Sequence, residues 1–333
     1  MSLFFYLRHK NLAKTEAFEK QVNGMFDIAK RYRAIETSDK YKEYLLLETT
    51  VTTDFFQTKK KKAMADKDEK KAWLTSEEAK QEARYEELKK DADILFFKQT
   101  KEADVKRVEA LKEVFVDDFN GKTDVWKPGF VYPNASFLAC HSYTNELQAN
   151  HQGKNANTHD SRLVITTRKE QVSSPAWDEK KGISTHTFRY SSDVLNNGVA
   201  MNRDGGLVMV KARTNGKHIR HRIALRTASQ MPMLSLMDSH ERKLSLGMRS
   251  LVAQPGAWME LADYPTTKEF IYTISWNKTE IIWFVNNQVV HRCPNTMPVD
   301  AKLYLHIQSF LPKAEKVSEG SLEIDWVRQY SLV

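Results

Sequence analysis

Glycine and proline divide this chain into two unlike parts. Between residue 1 and about 112 there is one glycine, Gly24, and no proline, while Lys, Glu and Ala are abundant; all nine prolines lie beyond that point. A stretch without chain breakers and rich in helix formers is expected to be helical. One punctuated by Gly and Pro, with apolar residues recurring every second position, is expected to form short strands. The reading is therefore a helical region over 1–112 followed by a β-domain over 113–333.

In the helical region, Thr75-Ser76-Glu77-Glu78 reads as a capping box in which Thr75 accepts the Glu78 amide. Thr37-Ser38-Asp39 is expected to open an earlier helix in the same way. Three phenylalanine pairs, Phe4-Phe5, Phe55-Phe56 and Phe96-Phe97, each precede a basic or polar turn: FFYLRHK, FFQTKKK and FFKQTKE. They mark about three degenerate helical units of roughly 40 residues, each pair expected to bury its rings against the next unit. The alternative use of such pairs is a docking arm for a protein partner.

In the second region, Leu163–Thr167 and Gly206–Ala212 alternate in period two. Phe270–Trp276 and Glu280–His291 form an expected hairpin through Asn277-Lys278-Thr279. Asn286-Asn287 can turn the chain again, because Asn tolerates the left-handed region. Leu303–Ser309 and Ser321–Tyr330 close the chain. A run of strands with almost no helical period is one large antiparallel sandwich.

Composition narrows the function classes. An apolar fraction of 41% belongs to a folded chain. The net charge of +8 divides about evenly between the two regions, and the densest basic run, Lys59–Lys62, is followed closely by Asp66, Asp68 and Glu69. That is a solvated helix face, whereas nucleic-acid binding gathers charge on one surface. The apolar stretch Leu3–Leu7 is shorter than the ~7 residues of a signal h-region, and no run reaches the ~20 residues of a membrane span. The expected setting is the cytoplasm or a large assembly such as a virion, with Cys140 and Cys293 as unpaired thiols.

Several motifs carry no chemistry. His218 and His221 stand three apart on an expected strand and so face opposite sides. There is no G-x-S-x-G elbow, and the Gly205-Gly206 doublet precedes a strand, not the helix of a phosphate loop.

Five segments in order resemble glycoside hydrolase family 16, the laminarinase and lichenase group with a concanavalin A-like jelly roll. Phe115-Val116-Asp117-Asp118-Phe119-Asn120-Gly121, with Trp126 following, is similar to the family's opening F-x-D-E-F-x-G…W. Phe188–Asp193 and Gly206–Arg213 resemble its "Y-T-S-G" and "G-R-I-E-A-R-A-K" strands. Trp276–Gln288 looks like "W-T-P-D-K-I-x-W-Y-V-D-G", and Leu322–Tyr330 like the closing "M-x-V-D-Y-V-R-V-Y". The helical region lies outside the resemblance.

The resemblance implies retaining hydrolysis by two carboxylates about 5 Å apart, carried on one strand as E-x-D-x-x-E. The matching segment is Met233-Leu234-Ser235-Leu236-Met237-Asp238. Met233 then stands at the nucleophile, Ser235 at the middle Asp and Asp238 at the acid/base. A thioether cannot form a glycosyl ester, and Asp238 is one methylene short, so these positions read as degenerate. The preceding segment carries Arg220, Arg222 and Arg226 where the family has tryptophans.

The expected function is accordingly a non-catalytic carbohydrate-binding or assembly protein, with a divergent endo-acting hydrolase as the alternative. A polysaccharide or protein ligand is expected on the concave face at Arg222, Asp238, Trp258, Tyr304, His306 and Gln308. The resemblance places a structural calcium at Asp118 and Asp325 and implies no other cofactor.

Overall fold

The computed structural model describes residues 14–121, 125–131, 140–251, 256–313 and 318–332. The chain divides into two compact units: Lys20–Ala110, and Leu111 onward together with the residues up to Glu19.

The first unit is helical. Helix α1 (Thr15–Glu36) enters it, and α2 (Asp39–Val51), α3 (Asp54–Ala65), α4 (Lys67–Leu74), α5 (Glu77–Leu88), α6 (Ala92–Gln99) and α7 (Glu102–Glu109) follow. Short polar caps start most of them: Ser38 accepts the Tyr41 amide and Thr53 that of Phe56. The box expected at Thr75 is displaced by one residue. Ser76 is the cap, accepting from Ala79 N at 3.2 Å, because Thr75 still terminates α4 and its hydroxyl donates back to Ala72 O.

Tyr44, Phe56, Trp73, Tyr85 and Ile94 form the main core of this unit. The expectation that each phenylalanine pair is buried is corrected at the second pair. Phe56 packs edge-on against Trp73, with centroids 5.6 Å apart, while Phe55 is 81% exposed. Neighbouring helical residues point about 100° apart, so one of two can enter a core. Phe96 and Phe97 are partly buried, with Phe97 stacked 4.2 Å from Tyr32. Phe4-Phe5 lies outside the described residues.

The second unit is β throughout. Its strands are β1 (Leu111–Asp117), β2 (Lys127–Pro128), β3 (Ser142–Tyr143), β4 (Gln148–Asn150), β5 (Ala156–His159), β6 (Arg162–Thr167) and β7 (Val172–Asp178). Next come β8 (Gly182–Phe188), β9 (Tyr190–Ser192), β10 (Val194–Asn202), β11 (Gly205–Asn215), β12 (Arg220–Arg226), β13 (Met233–His240) and β14 (Lys243–Arg249). The last are β15 (Trp258–Leu261), β16 (Phe270–Asn277), β17 (Glu280–Val285), β18 (Gln288–Pro294), β19 (Lys302–Phe310) and β20 (Gly320–Leu332).

One sheet runs β18-β17-β16-β11-β20-β6-β5, with β1 also on β20; the other runs β15-β14-β13-β12-β19-β10-β2. Pairing within both is antiparallel, as the alternation predicts. Asn286 and Asn287 turn β17 into β18 with φ of 46° and 65°, the left-handed pair that a two-residue hairpin requires.

Alternate residues of the two sheets meet in one core. Ile223, Leu225, Leu234, Leu236, Leu305 and Ile307 from one sheet pack with Val208, Val210, Ile274, Trp276 and Trp283 from the other. Each such side chain stabilises the fold by about 1.5–3 kcal/mol. Trp283 Nε1 also crosses the core to the Ser235 carbonyl at 2.8 Å.

A shift of register between Ser235 and Asp238 in the β13–β14 ladder lets Leu236 and Met237 both enter this core. Met233, Ser235 and Asp238 are left on the opposite face. Nearby, Gly247 has φ 131°, and a Cβ there would stand 2.3 Å from the Ala257 carbonyl oxygen. Gly247→Ala should therefore lower the unfolding free energy by at least about 2 kcal/mol. Gly182→Ala, also at positive φ but in open space, should lose about 1 kcal/mol. Urea denaturation midpoints of the two variants check the ordering.

Candidate functional site

Three neighbouring strands build the face that the sequence assigns to a ligand. Pairing sets Arg220 opposite His240, Arg222 opposite Asp238, Ala224 opposite Ser235 and Arg226 opposite Met233. On the other side of β12, the same four residues meet Phe310, Gln308, His306 and Tyr304 of β19. Arg222, Asp238, Tyr304, His306 and Gln308 thus share one face. Trp258 reaches it from β15, two strands from β13.

Asp238 has no exposed side-chain surface. Its Oδ1 accepts from Arg220 Nε at 2.5 Å, and its Oδ2 from Arg220 Nη2 and Arg222 Nε, both at 2.9 Å. Burial alone would raise the carboxyl pKa, but the charge of Arg222, followed by the hydrogen bond from Arg220, holds it below its ordinary value. Both guanidinium groups also lie over the Phe310 ring, at 5.7 and 4.9 Å from its centroid. Asp238 is the counter-ion of two arginines.

Met233 is flanked by cations. It pairs with Arg226 of β12 on one side and with Arg249 of β14 on the other. Arg226 is buried, with Nη2 on Gln308 Oε1 at 3.1 Å and its plane over Phe130 at 5.3 Å. Burial, reinforced by Arg222, pushes its pKa down to about 10, so it is still a cation at neutral pH. Its Nε has no hydrogen-bond partner, and among the described residues no carboxylate pairs with it. Arg249 is exposed and lies over Trp258 at 4.0 Å.

His306 is fixed as a neutral ring. Its Nε2 accepts the Val131 amide at 3.1 Å, and Nδ1 donates to the Tyr304 carbonyl at 3.0 Å. Burial, helped by Arg226, pushes its pKa down to about 3. Met233, Ser235, Asp238, His306 and Gln308 are all buried. The floor is occupied by its own side chains, and of the expected ligand contacts only Arg222, Tyr304 and Trp258 keep appreciable exposed surface.

Sequence reasoning missed Phe130, Glu146 and Arg249. Glu146 is held beside the end of β19, where Leu147 N donates to Leu311 O and Gln148 Oε1 accepts from Leu311 N. Its carboxylate accepts from Gln148 Nε2 at 2.6 Å. Burial pushes its pKa up to about 7, against the pull of Gln148 and of Arg222, Arg226 and Arg220. No motif marks it, because a loop residue brought in by tertiary packing leaves no local pattern.

The expected calcium ligands are engaged otherwise. Asp118 pairs with Arg328 at 2.6 Å, and Asp325 pairs with Lys211 at 2.7 Å and Arg162 at 3.3 Å. Calcium needs about six to eight oxygen ligands, and among the described residues no group of three or more His, Cys, Asp or Glu could hold a metal. His218 pairs with Glu241 and His221 with Ser309. Cys140 and Cys293 are free thiols, which burial pushes up to about 11. No helix among the described residues is long and apolar enough to cross a membrane.

No family model matches the sequence, and no curated protein does. Solved structures do match in shape. An endo-β-1,3-glucanase from Pyrococcus furiosus is 19% identical, with a TM-score of 0.53 over 67% of this chain and 95% of its own. A non-specific endo-β-1,3(4)-glucanase of glycoside hydrolase family 16 is 22% identical, with a TM-score of 0.53 over 67% and 92%. The κ-carrageenase of Pseudoalteromonas carrageenovora is 16% identical, with a TM-score of 0.52 over 67% and 95%. The β-unit of this chain therefore has the jelly-roll fold of the family 16 glycoside hydrolases.

Proposed function

We propose that this chain is a non-catalytic binding or assembly protein that uses the hydrolase sandwich as a scaffold. The observation that carries this reading is the state of Asp238. A glycosidase acid/base must be able to hold and release a proton beside the scissile oxygen. Asp238 is sealed from solvent and clamped by Arg220 and Arg222, and positions 233 and 235 offer only a thioether and a hydroxyl. The neighbours named as glucanases and a carrageenase support a polysaccharide as one class of ligand. The capped helical unit, with Phe55 and Leu46 exposed, supports a protein partner as the other.

The wild-type chain should release no reducing ends from laminarin, lichenan, agarose or κ-carrageenan during overnight incubation. Turnover of any of them would overturn the reading.

One observation favours the alternative, a divergent hydrolase. Glu146 is a carboxyl with a pKa near neutrality, on the same arginine cluster as an ionised Asp238, and two acids driven apart in this way is how acid and base roles are divided. Glu146→Gln would then abolish whatever turnover the assay detects.

A further inference from the structure

We infer that strand β8 is a docking edge that takes one further antiparallel strand: an extended segment of a protein partner, uncharged along its middle and acidic at both ends. The edge belongs to the separate β3-β7-β8 sheet, so it can serve a partner whether or not the arginine face holds a glycan.

A sheet edge offers unpaired amides and carbonyls to any extended chain, and natural edges are blunted by shortness, charge or proline. The other outer strands follow that rule. β2, β3, β4, β5, β9 and β15 have two to four residues each. β1 carries Lys112, Glu113 and Asp117, and β18 carries Arg292 and Pro294. β8 has seven residues, none of them charged or proline, and Ile183 to Thr187 are all exposed.

The pairing with β7 shows which backbone groups are free. Thr185 stands opposite Pro175, which has no amide to give, so this is a pair without hydrogen bonds between its members. The next such pair is Trp177 with Ile183, and the Trp177 carbonyl indeed turns the other way, accepting Thr144 N at 3.0 Å on the β3 side. By alternation, Ile183, Thr185 and Thr187 turn their amides and carbonyls outward, and among the described residues no strand pairs with that side. Their side chains share a face with Trp177, and the exposed Trp177 and Ile183 form an apolar ledge beside the edge.

Charge at the two ends selects the occupant. Lys180 and Lys181 precede the strand and Arg189 follows it, all exposed. Glu179 lies on the β7 side of the turn, and Asp178 is occupied by the Thr144 hydroxyl and the amides of Lys180 and Lys181. A second copy, paired about Thr185 to use all the free groups, would set Lys181 against Arg189 twice, and like charges in opposition destabilise a pair. One strand edge also falls short of the about 800 Å² per partner of a stable complex, whereas an added peptide strand gains its affinity from main-chain bonds.

The test is fluorescence anisotropy of a labelled peptide, Asp-Thr-Val-Thr-Val-Thr-Val-Thr-Asp, titrated with the full chain. Its valines fall opposite Ile183, Thr185 and Thr187, and its acids opposite Lys181 and Arg189. Saturable binding is expected, at least fivefold weaker when lysines replace the terminal acids and lost when the three valine amides are N-methylated. Thr185→Pro should weaken it at least tenfold while melting as wild type, since the deleted amide takes no part in the β7 ladder.

No binding up to about 1 mM chain, or equal binding of the N-methylated peptide, would overturn the inference; the peptide controls decide it even if Thr185→Pro fails to fold. A dimer in light scattering that Thr185→Pro abolishes would overturn it in favour of a second copy. Hydrolysis of a polysaccharide would count against the non-catalytic reading alone.

Discussion

Replacing Asp238 by alanine should lower the unfolding free energy of the β-unit by about 3–5 kcal/mol, the range for breaking a buried ion pair from one side. The loss arises from what remains. Arg220 and Arg222 share this one carboxylate, and without it two guanidinium groups crowd each other over Phe310. A catalytic aspartate behaves differently, since its removal abolishes turnover and commonly relieves strain. The triple variant Arg220→Leu/Arg222→Met/Asp238→Leu should recover at least about 2 kcal/mol relative to Asp238→Ala, because replacing a whole buried charge cluster by apolar groups is often neutral. Chemical denaturation followed by tryptophan fluorescence reads both values, with Trp276 and Trp283 in the core as reporters.

The second large effect is acid lability with a defined window. His306 and His221 are both buried with pKa values pushed down to about 3 from 6.5. A depressed folded-state pKa contributes stability that is present above pH 6.5 and is lost as pH falls toward 3. Each ring loses about 1.4 kcal/mol per pH unit in that interval. Glu146 acts with the opposite sign: its pKa is raised to about 7 from 4.5, so acidification from 7 to 4.5 stabilises the fold and offsets part of the histidine loss. Asp193, also raised by burial, acts with the same sign as Glu146.

Below pH 4.5 the Glu146 contribution is complete while the two histidines still titrate. The loss should there steepen to about 2–3 kcal/mol per pH unit, with Asp238 adding to it as its depressed pKa is approached. Melting temperatures across pH 7 to 3 should show a shallow upper limb and a steep lower one. His306→Gln, which can keep the Val131 contact without titrating, should roughly halve the lower slope.

The fold was legible because its signals are local or repeated. Period-two alternation, the Asn286-Asn287 turn and five ordered segments each report the sandwich independently. The placement of Met233, Ser235 and Asp238 on one face follows from alternation plus a single register shift. The clamp on Asp238 was not legible, although Arg220 and Arg222 are visible in the sequence. Which residue of β13 lies opposite which residue of β12 depends on a register that a bulge between Ile223 and Ala224 alters. Glu146 and Phe130 come from loops, where no period exists to place them. The displaced cap at Ser76 and the exposed Phe55 are failures of another kind, in which a correct motif was read one residue out or one residue too generously. The ion pairs of Asp118 with Arg328 and of Asp325 with Lys211 and Arg162 join residues far apart in the chain, and no local pattern announces them.

The central claim is that Asp238 is a permanent counter-ion and not a proton donor. Carboxyl-carbon NMR titration of the 13C-labelled chain, with Asp238 assigned through its Asn variant, tests this most directly. The account predicts that Asp238 remains ionised down to the lowest pH at which the fold survives. Protonation of Asp238 in the folded protein at a pH above about 5, as a glycosidase acid requires, would contradict it.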